Sequence, residues 1–174
     1  VTWKQVTAAA NAGKFRFAMT NPAGSNTGFV TLVGVASEFS GKGDALQEAD
    51  IPEGQLKEFF SGMSMSSGSS GDLAEQFKAN PQKADGIINY ESVVVGLSKN
   101  GLPLDVLVPK EGVITADYPL MLLASAKQPF YAKLVEHIRQ DDTQPRLAKN
   151  TFRTPLKGSA GSEITKERPV PGNL

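Results

Sequence analysis

The period of the hydrophobic positions changes twice within the first forty residues. Phe15 and Phe17 alternate with Arg16 and Ala18, the spacing of a short strand, and Pro22 then removes a backbone donor and ends any pairing. Behind Ser25, Asn26 and Thr27, three residues suited to capping, Phe29, Leu32, Val33, Ala36 and Phe39 recur at helical spacing. A helix is therefore expected to begin near Ser25 with that apolar face inward. Helix starts expose unpaired N–H groups, and Ala23, Gly24 and Gly28 would let an anion approach them; the same pattern also describes an ordinary capped helix after a strand.

The remaining pattern extends this alternation. Thr2 and Gln5 have capping-box spacing for a helix through about Ala12, and Gly41-Lys42-Gly43 stops the helix begun near Ser25. Asp50-Ile51-Pro52-Glu53 opens another, with Leu56, Phe59, Phe60 and Met63 on one face. The serine-rich stretch Ser61 to Gly71 reads as a low-complexity loop, from which Ser69 or Ser70 caps a helix carrying Leu73, Ala74 and Phe77 and ended by Asn80-Pro81. Ala84 to Ser92 gives a short strand leading into a helix with Val93, Val94 and Leu97. Leu104 to Val108, bounded by Pro103 and Pro109, suits a strand buried on both faces, and Val113 to Leu123 a further extended segment in which Pro119 holds Tyr118. Ser125 with Gln128 has capping-box spacing before a helix using Phe130, Leu134 and Ile138; Pro145 to Phe152 gives a short last helix. The expected class is α/β, a mixed and mostly parallel sheet with helices on both faces. Its expected core is Phe15, Phe17, Phe29, Leu32, Val33, Leu56, Phe59, Ile87, Val106 and Leu107.

Composition narrows the function. The 174 residues suffice for one domain with a sizeable core, and 18 basic against 18 acidic residues without a basic cluster argue against nucleic acid or an anionic membrane as the main partner. There is no cysteine, so no disulfide framework or thiol nucleophile is available, and no window approaches the roughly 20 apolar residues of a membrane-spanning helix. No phosphate-binding glycine loop and no Gly-x-Ser-x-Gly turn occurs. His137 stands between Glu136 and Ile138 on a charged helix, while Asp85, Asp141 and Asp142 lack His or Cys partners, so neither a metal, a cofactor nor a catalytic pair is expected. Three loops that follow extended segments remain: Asn21 to Thr27, Asn89 to Ser92 and Thr115 to Tyr118. In an open α/β sheet such loops share the carboxyl edge, where ligands bind. They offer amides, hydroxyls, backbone N–H groups and the carboxylate of Glu91, but no arginine, which suits binding of a small solute by neutral donors. The candidate ligand residues are Asn21, Ser25, Asn26, Thr27, Asn89, Tyr90 and Tyr118.

Taken in order, Thr20-Asn21-Pro22-Ala23-Gly24-Ser25-Asn26, Gly86-Ile87-Ile88-Asn89-Tyr90-Glu91-Ser92, Val108-Pro109-Lys110-Glu111-Gly112 and Asp117-Tyr118-Pro119-Leu120 resemble the second lobe and returning crossover of bacterial extracytoplasmic solute-binding proteins. The likeness is to the type 2 periplasmic-binding fold, its molybdate- and sulfate-binding-like branch, and the subgroup fused to a von Willebrand factor A domain. It spans residues 1–155 and makes 156–174 a tail or linker. The resemblance implies a three-layer lobe that contacts its ligand in an interlobe cleft through Ser25, Asn26, Asn89, Tyr90 and Tyr118. The expected ligand is an oxyanion, and because a carboxylate facing the cleft would repel it, Glu91 is expected to point away. The resemblance also implies a periplasmic or extracellular location, a membrane transporter as partner, and no enzymatic activity. Nothing in the chain corresponds to the family's first lobe, so that lobe is an expected partner. The face of Phe130, Leu134 and Ile138 is left to a second copy of the chain. Two other classes stay open: an interaction module with a vestigial cleft, and a small hydrolase using Ser25 with Glu91.

Overall fold

The computed structural model describes residues 1–114 and 119–149. They fall into two units, 1–114 and 119–149. In the first, α1 (Trp3–Asn11) starts with the expected box: Gln5 N–H donates to Thr2 Oγ1 and Thr2 N–H to Gln5 Oε1, each at 3.0 Å. The central strand β1 (Phe17–Thr20) leads to α2 (Asn26–Ser40), which Gly41 ends in the left-handed region at φ 67°. After α3 (Glu53–Phe60) come β2 (Met63–Ser67), α4 (Ser70–Ala79), β3 (Gly86–Ile88) and α5 (Glu91–Lys99). The strands form one parallel sheet in the order β2-β1-β3, with Phe17 opposite Met63 and Gly86, and Thr20 opposite Ser67.

All four residues of β1 are buried, and their alternation feeds two cores. Phe17 and Met19 join Trp3, Ala10, Val35 and Phe59 on the side of α1, α2 and α3. Ala18 points to the opposite face and packs with Leu73, Ala74, Phe77, Ala84 and Leu97 from α4, the following turn and α5. Helices on both faces of a parallel sheet give the three layers of an α/β lobe.

Several expectations are corrected. β1 begins at Phe17 rather than Phe15, and Phe15 packs against the first core from outside it. The buried face of α2 is Thr27, Gly28, Thr31, Gly34, Val35, Ala36 and Ser37, whereas Phe29 is 54% exposed and Leu32 and Val33 are half-buried. This helix is apolar nearly all round, and where it meets the sheet the backbones approach too closely for large side chains. The serine-rich stretch forms β2, because Met63 and Met65 alternate with serines and β1 supplies the ladder partners; Met63 therefore belongs to a strand rather than to the preceding helix. Leu104 to Val108 forms no strand: Leu104 leans on the second core beside Leu102, Val106 is half-buried, and Leu107 is 67% exposed. Ile87 and Leu56 are likewise only half-buried, beside the cores rather than at their centres.

At the amino ends of the strands, Arg16 and Asp85 tie β1 to β3. Asp85 Oδ2 accepts from Arg16 N–H at 2.8 Å, and its Oδ1 from the guanidinium at 3.0 Å. Both side chains are about half exposed. The Arg16 side chain first, and its backbone N–H second, hold the Asp85 carboxyl below its ordinary value of 3.8. A carboxyl lowered by folding stabilises the fold above its unfolded value and loses that contribution as pH falls through the folded one. Asp85→Asn is therefore expected to show a stability deficit at neutral pH that shrinks as pH drops below the ordinary value, read by chemical denaturation across pH. A deficit independent of pH would assign the effect to lost hydrogen-bond geometry rather than to charge.

In the second unit, α6 (Gln128–Arg139) and α7 (Thr143–Lys149) are joined by a bond from Gln144 Nε2 to Ile138 O. The expected capping box does not form. Ser125–Lys127 makes a single 3-10 turn, and Pro129 fixes the helix start so that Lys127 is the cap, without a side-chain bond. Phe130 is exposed while Leu134 and Ile138 are half-buried. Of the extended segment expected over Val113 to Leu123, the described residues carry no strand, and Leu120, Met121 and Leu123 are exposed. The last helix begins at Thr143, two residues early, and the expectations for 150–174 lie outside the described residues.

Candidate functional site

Because the three strands are parallel, β1 ends at Thr20, β2 at Ser67 and β3 at Ile88 on one edge, and the helices α2, α4 and α5 start just beyond. Asn21 closes the first turn: its N–H donates to Ser67 O at 2.9 Å and its Oδ1 accepts from Ala23 N–H at 2.9 Å. It is thus occupied in holding the loop. Ser25 is the N-cap of α2 in extended backbone, yet its hydroxyl makes no capping bond. Among the described residues, the N–H groups of Asn26, Thr27 and Gly28 have no acceptor, so the positive end of a 15-residue helix is left open. The Thr27 side chain is buried and its Oγ1 has no partner, which places it under the helix rather than on its exposed start.

The second loop meets the first. Asn26 Nδ2 donates to Tyr90 Oη at 3.0 Å, bridging α2 and the turn after β3. Asn89 Oδ1 accepts from Tyr90 N–H at 2.8 Å, and Asn89 Nδ2 donates to Ser70 O at 2.9 Å at the start of α4. Asn89 and Tyr90 therefore clasp two helix starts at once. Of the sequence-derived residues, the structure brings Asn26, Asn89 and Tyr90 together, sets Ser25 at the open helix start, gives Asn21 and Thr27 supporting positions, and leaves Tyr118 outside the described residues.

What the sequence reading passed over is the turn after β2. Ser67 Oγ donates to Asp72 Oδ2, Ser69 Oγ accepts from Asp72 N–H at 3.1 Å, and Ser67 O and Ser70 O receive the bonds from the other two loops. Ser69 is the cap expected from the sequence, three residues before Asp72; its cap position is the signal that sets this turn at the same edge as the other two loops. Neutral amides, hydroxyls and N–H groups dominate this edge, and such donors suit an oxygen-bearing ligand. Glu91 opens α5 and is half-buried. Among the described residues no group of three His, Cys, Asp or Glu is placed to hold a metal ion, and no helix is long and apolar enough to cross a membrane. A broad groove of about 730 Å³ lies along Tyr131, Val135 and Arg139 of α6 in the second unit; none of the candidate residues lines it.

The model of one protein family, described as bacterial extracellular solute-binding protein, matches residues 1–153. No curated protein and no solved structure matches the chain.

Proposed function

The chain belongs to the bacterial extracellular solute-binding proteins, and from that premise we propose that it is a ligand-contacting lobe holding a small solute, through an oxyanion group, at the open start of α2. The observation that carries this is the uncapped first turn of α2 beside the Asn26–Tyr90 bond. An oxyanion there meets up to three free N–H groups and the aligned dipole of the helix, with no cation needed. The reading further places residues 1–155 as one lobe of a two-lobe protein of the molybdate- and sulfate-binding-like branch. A first lobe covers the ligand in an interlobe cleft, Tyr118 joins from the crossover, and 156–174 links to a von Willebrand factor A domain. The solute is bound outside the cytoplasm and passed to a membrane transporter without being chemically changed.

The test is a calorimetric titration of the protein with sulfate and molybdate. Asn26→Ala and Tyr90→Phe each remove one member of the bond that fixes the mouth of the site, and each is expected to weaken binding by about 0.5–1.5 kcal/mol. Affinities equal to the unmodified protein for both variants would remove the start of α2 from the site.

A further inference from the structure

The single Asn-Gly pair of the chain, Asn100-Gly101, stands at the end of α5. Asn100 is the C-cap of that helix, and Gly101 follows at φ 97°, a conformation that residues with a Cβ rarely adopt. Gly101 N–H donates to Ser98 O at 3.1 Å, and Leu102 N–H reaches back to Leu97 O at 3.2 Å. These are the two bonds of a Schellman motif, and its apolar contact is present as well: Leu97 is buried in the second core and Leu102 packs against that core. The motif therefore latches the chain leaving α5 onto the sheet side that carries Ala18. Asn100 and Gly101 are both exposed, and the Asn100 side-chain amide has no partner among the described residues.

An asparagine carries its amide carbon where the next main-chain nitrogen can close a ring on it, and a glycine there leaves that nitrogen unshielded by a side chain. The other asparagines of this unit lack that freedom. Asn21 and Asn80 precede proline, which has no N–H, while Asn11, Asn26 and Asn89 precede residues with side chains, the last two being bonded to Tyr90 and Ser70. The corresponding acidic pair, Asp85-Gly86, is pinned at both carboxylate oxygens by Arg16. We propose that Asn100 is a site of spontaneous modification, deamidating through a succinimide, and that its isoaspartyl product opens the latch at the end of α5. Gly101 N gives its proton to hydroxide and bonds to Asn100 Cγ; the Cγ–Nδ2 bond breaks and ammonia leaves. Water then adds across one carbonyl–nitrogen bond of the ring, giving aspartate or, when the main-chain carbonyl is opened, isoaspartate. The bond from Gly101 N–H to Ser98 O must part first, and at an exposed helix end this is a local event rather than global unfolding. Isoaspartate inserts an extra carbon into the main chain between Asn100 and Gly101, so the spacing that joins Leu102 N–H to Leu97 O is lost. Either product also sets a carboxylate at the negative end of the helix.

The experiment incubates the full chain in mildly alkaline buffer, folded and in urea, and follows each asparagine by peptide mapping with mass spectrometry, isoaspartate being counted by enzymatic methyl transfer. Asn100 is expected to convert before any other asparagine of the described residues. Its rate in the folded protein should lie within about a hundredfold of the rate in urea, the factor set by a local opening of about 2.8 kcal/mol. A larger gap, or earlier conversion at another of these asparagines, overturns the site. Asn100→Gln, whose side chain closes a ring far less readily, should unfold at the same urea concentration and yield no isoaspartate in that peptide; isoaspartate persisting there assigns the chemistry elsewhere and overturns it too. The isoaspartyl form, separated by chromatography, should unfold at lower urea concentration and lose hydrogen-exchange protection at Leu102 N–H. Asn100→Asp, which adds the charge at unchanged main-chain length, should keep that protection. Protection at Leu102 retained in the isoaspartyl form, or lost equally in Asn100→Asp, overturns the opening of the latch by the inserted carbon.

Discussion

Gly28→Ala is expected to destabilise the first unit by about 3 kcal/mol or more, the upper range for forcing atoms into a packed site. A Cβ at Gly28 would lie 2.4 Å from Thr20 O, 2.8 Å from Pro22 N and 2.9 Å from the Asn21 carbonyl carbon. All three are backbone atoms, so no side chain can turn aside. The strand end or the helix start must move, and with it the open N–H groups on which the proposed site depends. Gly54→Ala supplies the contrast: this glycine lies in α3 with nothing within 4 Å of an added Cβ, and alanine there is expected to stabilise by about 0.5–1 kcal/mol. Urea denaturation of the two variants reads both effects. A Gly28→Ala midpoint equal to that of the unmodified protein would show that the turn from β1 to α2 yields freely, and would weaken the case for a rigid site.

The second large effect is expected at Phe59. Its ring is fully buried and meets three others: Phe17 at a centroid distance of 4.7 Å, Phe60 at 5.3 Å and Trp3 at 6.0 Å. It joins α1, α3 and the central strand, so its removal leaves a cavity walled by three elements. Phe59→Ala should cost about 3–5 kcal/mol. Against a typical total of about 5–15 kcal/mol for a domain, this brings the unit near its unfolding threshold. Phe60→Ala should cost less, since that ring is half-buried. The check is chemical denaturation with near-ultraviolet circular dichroism. A loss under about 1 kcal/mol at Phe59 would mean that the surrounding rings collapse into the space.

Sequence pattern located those features whose cause is local. The Thr2–Gln5 box, the Gly41 stop, the Ser69 cap and the start of α2 at Ser25 each depend on residues within one or two turns of each other. It failed where partners are distant. α2 offers two apolar stripes, and only the sheet decides that the side of Val35 and Gly34 faces inward while Phe29 faces out. β2 is recognisable as a strand only once β1 lies beside it, since Met63 to Ser67 alone contains too little apolar area. Leu104 to Val108 fails in the reverse sense, a strand-like sequence that the described residues give no ladder. The same divide runs through the site. Asn26, Asn89 and Tyr90 were each visible as polar residues after a strand or at a helix start, but the bond between Asn26 and Tyr90 follows from parallel topology. The serine turn was set aside as low complexity because its function as a connection to both neighbouring loops has no signature in its own residues.

The placement of β1 between two partners that both follow it in the chain constrains the order in which the protein is made. On synthesis from the amino end, Phe17–Thr20 emerges with neither neighbour available, and Met63–Ser67 must appear before its first ladder can close and Gly86–Ile88 before its second. Until then an apolar strand has two unpaired edges, the condition in which chains pair with one another. Because each closure spans a long loop, the entropic cost falls before any contact compensates it, and folding is expected to be slow for a chain so rich in helix. The first core, built from α1, β1, α2, α3 and β2, can assemble while β3 is still being synthesised, so the side facing α4 and α5 is the last to be covered and the one a chaperone would have to shield.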